Sequence, residues 1–285
     1  MNKQFSDWWG IILGGSSGFG LAAVEKLASH GMNIAVLYRE TSVAERSIQE
    51  KFSTIAASSN VIIDTYNINA LDAGSRQSFL QQFAARAGRK HSVRLLLHSI
   101  ARGNLKPLVS APHFADIHAA ANHPVVPYAV ADDQQNPSVE DIRFTTYAMS
   151  TSLLDWARAL LYEEHFCSDA RIIGLTSEGA HKYWEGYAAV SIAKASLESL
   201  VTYMAVELGR YGLKTNLIQA GITETPSLKK IPSSEKLLDM AAQRNPLGRI
   251  TRPEDIANAI YLLCSNEASW INGSVIHVDG GEHCR

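Results

Sequence analysis

Cysteine is scarce: Cys167, Cys264 and Cys284 are the only three in 285 residues, and no two form a Cys-x-x-Cys pair. That excludes a disulfide framework and a cysteine-based zinc site, and it suits a reducing cytoplasm. Long hydrophobic runs are also lacking, since no stretch approaches the roughly 20 consecutive apolar residues of a membrane span. The apolar run at residues 8–13 is too short for a secretory signal and has no cleavage region. Nor does charge of one sign dominate. Lys and Arg total 26 against 28 Asp and Glu, a formal net charge of -2, so neither nucleic acid nor an anionic membrane is an expected partner, and any phosphate recognition has to be local. With 46% hydrophobic and 19% charged residues and a mean hydropathy of -0.07, the chain can bury a core. A soluble cytoplasmic protein is expected.

What is present is alternation. Short apolar runs at residues 8–13, 33–38, 61–66, 93–98, 171–176, 214–219 and 274–278 read as strands. Between them, Leu21, Val24, Leu27 and Ala28, and later Leu197, Leu200, Val201, Met204 and Leu208, recur at the spacing of one buried helical face. Alternating strand and helix with right-handed crossovers predicts an α/β fold: a doubly wound, Rossmann-type parallel sheet of seven strands with helices on both faces. No interdomain linker interrupts residues 1–285, so one domain is expected. Tyr203, with Met204 and Leu208, reads as core. The exception to the rhythm is residues 102–141, which carry five of the nine prolines (Pro107, Pro112, Pro124, Pro127, Pro137). That density prevents a long helix or an inner strand, leaving a lid, a substrate-facing excursion, a subunit contact or an insertion without a role. His113, His118 and His123 in it recur every five residues, which aligns no ligands on a helical face, so no metal site is expected.

The first strand runs into Gly14, Gly15, Ser16, Ser17, Gly18, Phe19 and Gly20, and a helix follows. Glycines there let the backbone approach a pyrophosphate, and the free N–H groups of the helix start stabilise it, so Gly14, Ser16, Ser17, Gly18, Phe19 and Gly20 are candidate cofactor contacts. At the end of the second strand no Asp stands ready for an adenosine ribose. Arg39 is there instead; a guanidinium pairs with a 2′-phosphate, which favours NADPH over NADH, although Glu40 follows immediately. Further on, Tyr187 and Lys194 lie seven residues apart at the start of an amphipathic helix, nearly two turns, and therefore on one side.

In these features, and in His98-Ser99-Ile100-Ala101, Gln219 to Thr225 and Val278-Asp279-Gly280-Gly281, the chain resembles the short-chain dehydrogenase/reductase superfamily over almost its whole length. In the carbonyl reductases of that superfamily the tyrosine lies four residues before the lysine; here that position is Val190, which has no proton to give. The spacing of seven and the His98-Ser99-Ile100 segment resemble the enoyl-acyl-carrier-protein reductases. The main group of these has a rearranged glycine loop and a second tyrosine ten residues before the first, a position held here by Ser177, with Tyr183 as a neighbour that could fill the space or wall a substrate pocket. A smaller NADPH-dependent group with an ordinary glycine loop is more similar.

The resemblance implies reduction of the 2,3 double bond of an enoyl thioester carried on acyl carrier protein or coenzyme A, with Tyr187 and Lys194 catalytic. It also implies that Lys194 holds the nicotinamide ribose, that Asn67 and Ile68 lie by the adenine and Ser99 and Ile100 by the nicotinamide ribose, that Gly221, Thr223 and Thr225 border the carboxamide and phosphates, and that the protein is a homotetramer. Setting the tyrosine one turn further from the lysine moves its phenol by roughly 4 to 5 Å. That suits an acceptor whose hydride arrives at the β-carbon while negative charge gathers on the thioester oxygen, two carbons away. Lys194 is expected, as a nearby cation, to favour charge on the phenol oxygen. A 3-oxoacyl or other carbonyl reductase and a non-catalytic NADP-binding protein are the competing readings.

Overall fold

The computed structural model describes residues 3–109 and 136–285. Its strands β1 (Trp9–Leu13), β2 (Asn33–Tyr38), β3 (Ile63–Asn67), β4 (Val93–His98), β5 (Phe166–Ser177), β6 (Lys214–Ala220) and β7 (Val275–Val278) form one sheet in the order β3-β2-β1-β4-β5-β6-β7. Every neighbouring pair is parallel, as the alternation with helices requires, because parallel neighbours need a crossover. Burial follows position. β1 and β4, at the centre, are buried at every residue, whereas β3 and β7, at the edges, are not.

The described helices are α1 (Gly18–Ser29), α2 (Ser42–Ser59), α3 (Ala73–Ala87), α4 (Val139–Thr146), α5 (Ser152–Tyr162), α6 (Ala188–Gly209), α7 (Ser234–Arg244) and α8 (Pro253–Cys264). Val24 and Leu27 of α1, Phe52 of α2 and Ile256 and Ile260 of α8 pack with Ile12, Val36 and Leu97 on one face of the sheet. Phe79 of α3, Trp156 of α5 and Leu197 and Val201 of α6 pack with Ile11, Leu96 and Ile172 on the other. The expected helical stripes are therefore the buried ones. Tyr203 is the correction: it is 66% exposed, on the outer side of α6. α6 is long and apolar enough by composition to cross a bilayer, yet it lies against β5 and β6 and buries Lys194.

Two strand starts differ from expectation by more than one residue, for local reasons. β3 starts two residues late because α2 ends on Asn60 in the left-handed conformation and Val61 N donates back to Ala56 O. β5 starts at Phe166, ahead of its apolar run, across an irregularity opposite Val93 and Leu95. Polar Ser168 and Asp169 hide that extension in the sequence. Of the proline-rich stretch, residues 110–135, with Pro112, Pro124, Pro127 and the three histidines, lie outside the described residues. Its flanks do not: Asn104 N donates to Thr145 Oγ1 at 3.0 Å, tying the chain after β4 to α4.

On β4 and β5, toward the strand ends away from those that matter for chemistry, two buried guanidiniums close α8. Arg171 donates to Leu263 O at 2.7 Å and Ser265 O at 3.0 Å, and Arg94 to Cys264 O at 3.0 Å, satisfying carbonyls that a helix end leaves free. Asp169 balances both arginines and Lys214. Partial burial opposes its ionisation, but the hydrogen bonds from Arg171 and Lys214 prevail and hold its carboxyl well below the usual range. Arg171→Ala would strand these acceptors, and a loss of stability on the order of 3 kcal/mol is expected by urea denaturation, with an unchanged denaturant slope.

Candidate active site

The strand order reverses between β1 and β4, and there the carboxyl ends of the strands open into a cleft of about 1260 Å³. The turn after β1 is packed against its surroundings with no room for side chains. Gly14 has φ +84°, and a Cβ on it would fall 2.7 Å from Ser99 O, while one on Gly20 would fall 2.2 Å from Gly14 O. This close packing presents the start of α1 to the cleft. Thr41, Asp72 and Ser138 cap α2, α3 and α4 through their side chains, but Ser17 makes no capping bond on α1 and no acidic residue stands in that helix's first turn. The uncapped N–H groups and positive helix end, beside Ser16, Ser17, Gly18 and Phe19 in the cleft wall, fit a dinucleotide pyrophosphate.

The adenosine side is organised by a carboxylate. Glu40 accepts from Ser16 Oγ at 3.0 Å, and its backbone is clamped by Asn67, which accepts from Glu40 N at 3.0 Å and donates to Glu40 O at 3.1 Å. Arg39, at the cleft mouth, makes no hydrogen bond or ion pair with any described residue. Most of the predicted contacts line this one cleft: Gly14, Ser16, Ser17, Gly18, Phe19, Arg39, Ile68, Ser99, Ile100, Tyr187, Lys194, Gly221, Thr223 and Thr225. Two do not. Gly20 serves the approach of α1 to the loop, and Asn67 spends its amide on Glu40 instead of facing an adenine. Thr223 donates to Gly221 O at 2.9 Å, shaping its own loop. Thr225 accepts from Leu228 N at 3.1 Å, which leaves its hydroxyl proton for a ligand.

Tyr187 stands one residue outside α6, as its N-cap, with φ -97° and ψ 1°, a region where active-site residues are often found. Its phenol reaches Ser177 Oγ at 3.5 Å, while Tyr183 is 89% exposed at the cleft rim. Burial raises the phenol's pKa and the Ser177 hydrogen bond only partly offsets it; the group is a protonated donor. Lys194 Nζ donates to Leu175 O at 2.6 Å. Phenol and ammonium are thus stationed two residues apart along β5, about 6.6 Å by strand rise. Burial draws the Lys194 ammonium down to about 8, with Glu198, one turn on, opposing the fall. His98 beneath is neutral: burial, then the Lys194 charge, pull its pKa down to about 3, and its Nε2 meets Ser152 Oγ at 2.8 Å.

The far wall is apolar and comes from pieces distant in sequence: Leu105, Met149, Val190, Trp184, Ile231 and Met240. Met149 lies in a π turn, Tyr147–Thr151, between α4 and α5, a distortion frequent at functional sites. Trp184 Nε1 donates to Pro232 O at 3.3 Å. Arg244 at the end of α7 pairs with Glu178 after β5 and, at 2.7 Å, with buried Glu282. No local pattern announces these partners, since they are 66 and 38 residues away from Arg244. Gly179, against the Tyr187 ring, had as its only signal its place just after a strand.

Comparison with known proteins bears on this site. The family model for enoyl-(acyl carrier protein) reductase matches residues 116–283, more than half of the chain. The enoyl-acyl-carrier-protein reductase (NADH) FabI of Aquifex aeolicus is 37% identical over 112 residues, 39% of this chain and 42% of the relative. Its counterpart in Bacillus subtilis is 33% identical over 133 residues, 47% of this chain and 50% of the relative. The chain thus spans half or less of the length of these curated relatives. Among solved structures, FabI from Candidatus Liberibacter asiaticus superposes with a TM-score of 0.79 at 20% identity, covering 100% of this chain and 98% of that one. A short-chain dehydrogenase/reductase from Serratia marcescens gives 0.76 at 20% identity, over 98% and 99%. At those identities the likeness is one of fold.

The expectation of NADPH is overturned by the curated relatives, which are named for NADH. The physical reason is at hand in Glu40: a carboxylate fixed by Ser16 accepts from a ribose 2′-hydroxyl and repels a 2′-phosphate, and the unanchored Arg39 beside it does not decide the matter. For Lys194, the lowered pKa means that its charge is lost as pH rises through about 8. Dinucleotide affinity of the free chain, followed by fluorescence titration, is therefore expected to weaken above that pH, and Lys194→Met to abolish the alkaline fall.

Proposed function

The chain belongs to the enoyl-(acyl carrier protein) reductase family, and from that premise we propose that it reduces the 2,3 double bond of an enoyl thioester with NADH. The observation that carries this reading is the placement of the acid. Val190, four residues before Lys194, is buried among Ala148, Met149 and Ala193, so no proton donor stands where a carbonyl reductase needs one. The donor is Tyr187, set back on Ser177.

When bound, the nicotinamide dinucleotide supplies the hydride. The chain's own residues do the remainder. The uncapped start of α1 holds the pyrophosphate, Glu40 the adenosine ribose, and two of the three Lys194 N–H groups, free of Leu175 O, the nicotinamide ribose. Tyr187, kept protonated by burial, donates a hydrogen bond to the thioester oxygen as negative charge collects there. The apolar wall of Leu105, Met149, Trp184 and Met240 excludes water and takes the acyl chain. Acyl carrier protein, named in the family description, is the proposed carrier. A cytoplasmic location, which the unpaired thiols of Cys167 and Cys264 suit, and a homo-oligomeric state complete the proposal.

Absorbance at 340 nm separates the substrate classes: NADH is expected to be consumed with a crotonyl thioester and not with an acetoacetyl thioester, and the reverse would make the protein a carbonyl reductase. Consumption with neither, despite NADH binding, would make it non-catalytic. Tyr187→Phe should lower kcat by at least about 100-fold while leaving the NADH dissociation constant within about twofold. Glu40→Gln should strengthen NADPH binding about tenfold by removing one repulsive charge and weaken NADH binding, since a neutral amide accepts from the ribose less strongly than a carboxylate.

A further inference from the structure

Tyr187 lies outside the helix that follows it, so the helical repeat does not aim its ring. Its backbone is held by Tyr187 N donating to Trp184 O at 3.1 Å and Ser191 N donating to Tyr187 O at 2.8 Å, and neither bond touches the ring. The ring is confined instead by the turn that follows β5. Gly179, in the short turn Glu178–Ala180, lies flat against one ring edge: a Cβ on it would fall 2.5 Å from Cε1 and 2.8 Å from Cδ1 of Tyr187. The same residue's N–H donates to Ser177 Oγ at 3.2 Å, orienting the hydroxyl that the phenol meets.

We propose that Gly179 is a positioning residue for the proposed reduction: the space of its missing side chain is the seat of the Tyr187 ring, and that seat sets where the phenolic proton is offered. Gly14 and Gly18 have positive φ, but the backbone of Gly179 is one that any residue adopts. The perturbation in Gly179→Ala is therefore the added carbon alone. The ring is the flexible partner in the clash, so it gives way and carries its phenol off the present position beside Ser177. A displacement of about 1 Å at a reacting group costs on the order of 100-fold in rate.

The inference rests on Tyr187 as the donor of the proposed function, so its test pairs turnover with a measurement on the phenol itself. In Gly179→Ala, kcat with a crotonyl thioester is expected to fall roughly 10- to 100-fold, with KM and the NADH dissociation constant within about twofold. Combined with Tyr187→Phe, the same substitution should add no further loss. Ultraviolet titration of the unliganded protein, taken as the difference from the matching Tyr187→Phe protein, isolates this one phenol; its midpoint should drop toward the ordinary tyrosine value as the ring leaves its buried seat. Unchanged kcat with an unchanged phenol midpoint would overturn the proposal. So would a loss equally large in the Tyr187→Phe background, or one matched by lost NADH affinity. If the unsubstituted protein reduces no enoyl thioester, the substrate reading fails, while the phenol titration still decides whether Gly179 seats the ring.

Discussion

Three consecutive residues at the end of β5 each hold a polar side chain from α6 or its cap. Leu175 O accepts from Lys194, Thr176 Oγ1 donates to Glu198 at 2.7 Å, and Ser177 Oγ meets the phenol of Tyr187. The depth and rotation of α6 against the sheet are thereby set in register with the strand. Just before these three residues, Gly174 leaves room for the neighbouring strand β6, since a Cβ there would fall 2.7 Å from Leu217, while Leu197 of α6 would be at an ordinary contact distance of 3.5 Å. A buried ammonium would ordinarily be expensive. Here it has a carbonyl partner, and Glu198, itself held by Thr176 and His181, sits one turn away to favour its charged form. The acid, the cation and the cation's counter-charge are thus indexed to one strand end.

The opposite wall follows a different rule. Around β1 and α1 it is the lack of side chains that matters, with Gly14 against Ser99 and Gly20 against Gly14 drawing the helix start into the cleft. α1 lacks the side-chain cap that α2, α3 and α4 possess, and the glycine turn sets its first N–H groups at the cleft wall. Beside this cradle Glu40 is fixed by Ser16 and Asn67. The cleft therefore has a preorganised cradle on one side and a strand-registered phenol on the other.

Reading the coenzyme from Arg39 failed for a reason of geometry. Adjacent residues at a strand end point in different directions, and the sequence does not say which of Arg39 and Glu40 is anchored. Three hydrogen bonds, two of them from a residue 27 positions away, decide for Glu40. Asn67 was placed at the adenine for the same want of information: it does end β3, but its amide is taken by Glu40, just past the neighbouring strand β2. The separation of Tyr187 from Lys194 was legible, whereas the swing of the phenol toward Ser177 was not, because Tyr187 is a cap residue whose side chain takes its direction from the turn after β5 and not from the helical period.

The alternation of apolar runs with helical stripes, the glycine turn between the first strand and first helix, and the absence of a proton donor at Val190 are properties of local order along the chain. They were enough for a parallel doubly wound sheet and for a displaced acid, since strand and helix periods are dictated by covalent geometry. Contacts between residues far apart in the chain needed the folded molecule. Gly179 beneath Tyr187, Arg244 between Glu178 and Glu282, and Glu40 under Asn67 and Ser16 depend on how the crossovers bring strand ends together, and no periodicity in a single chain encodes which side chain will be standing there.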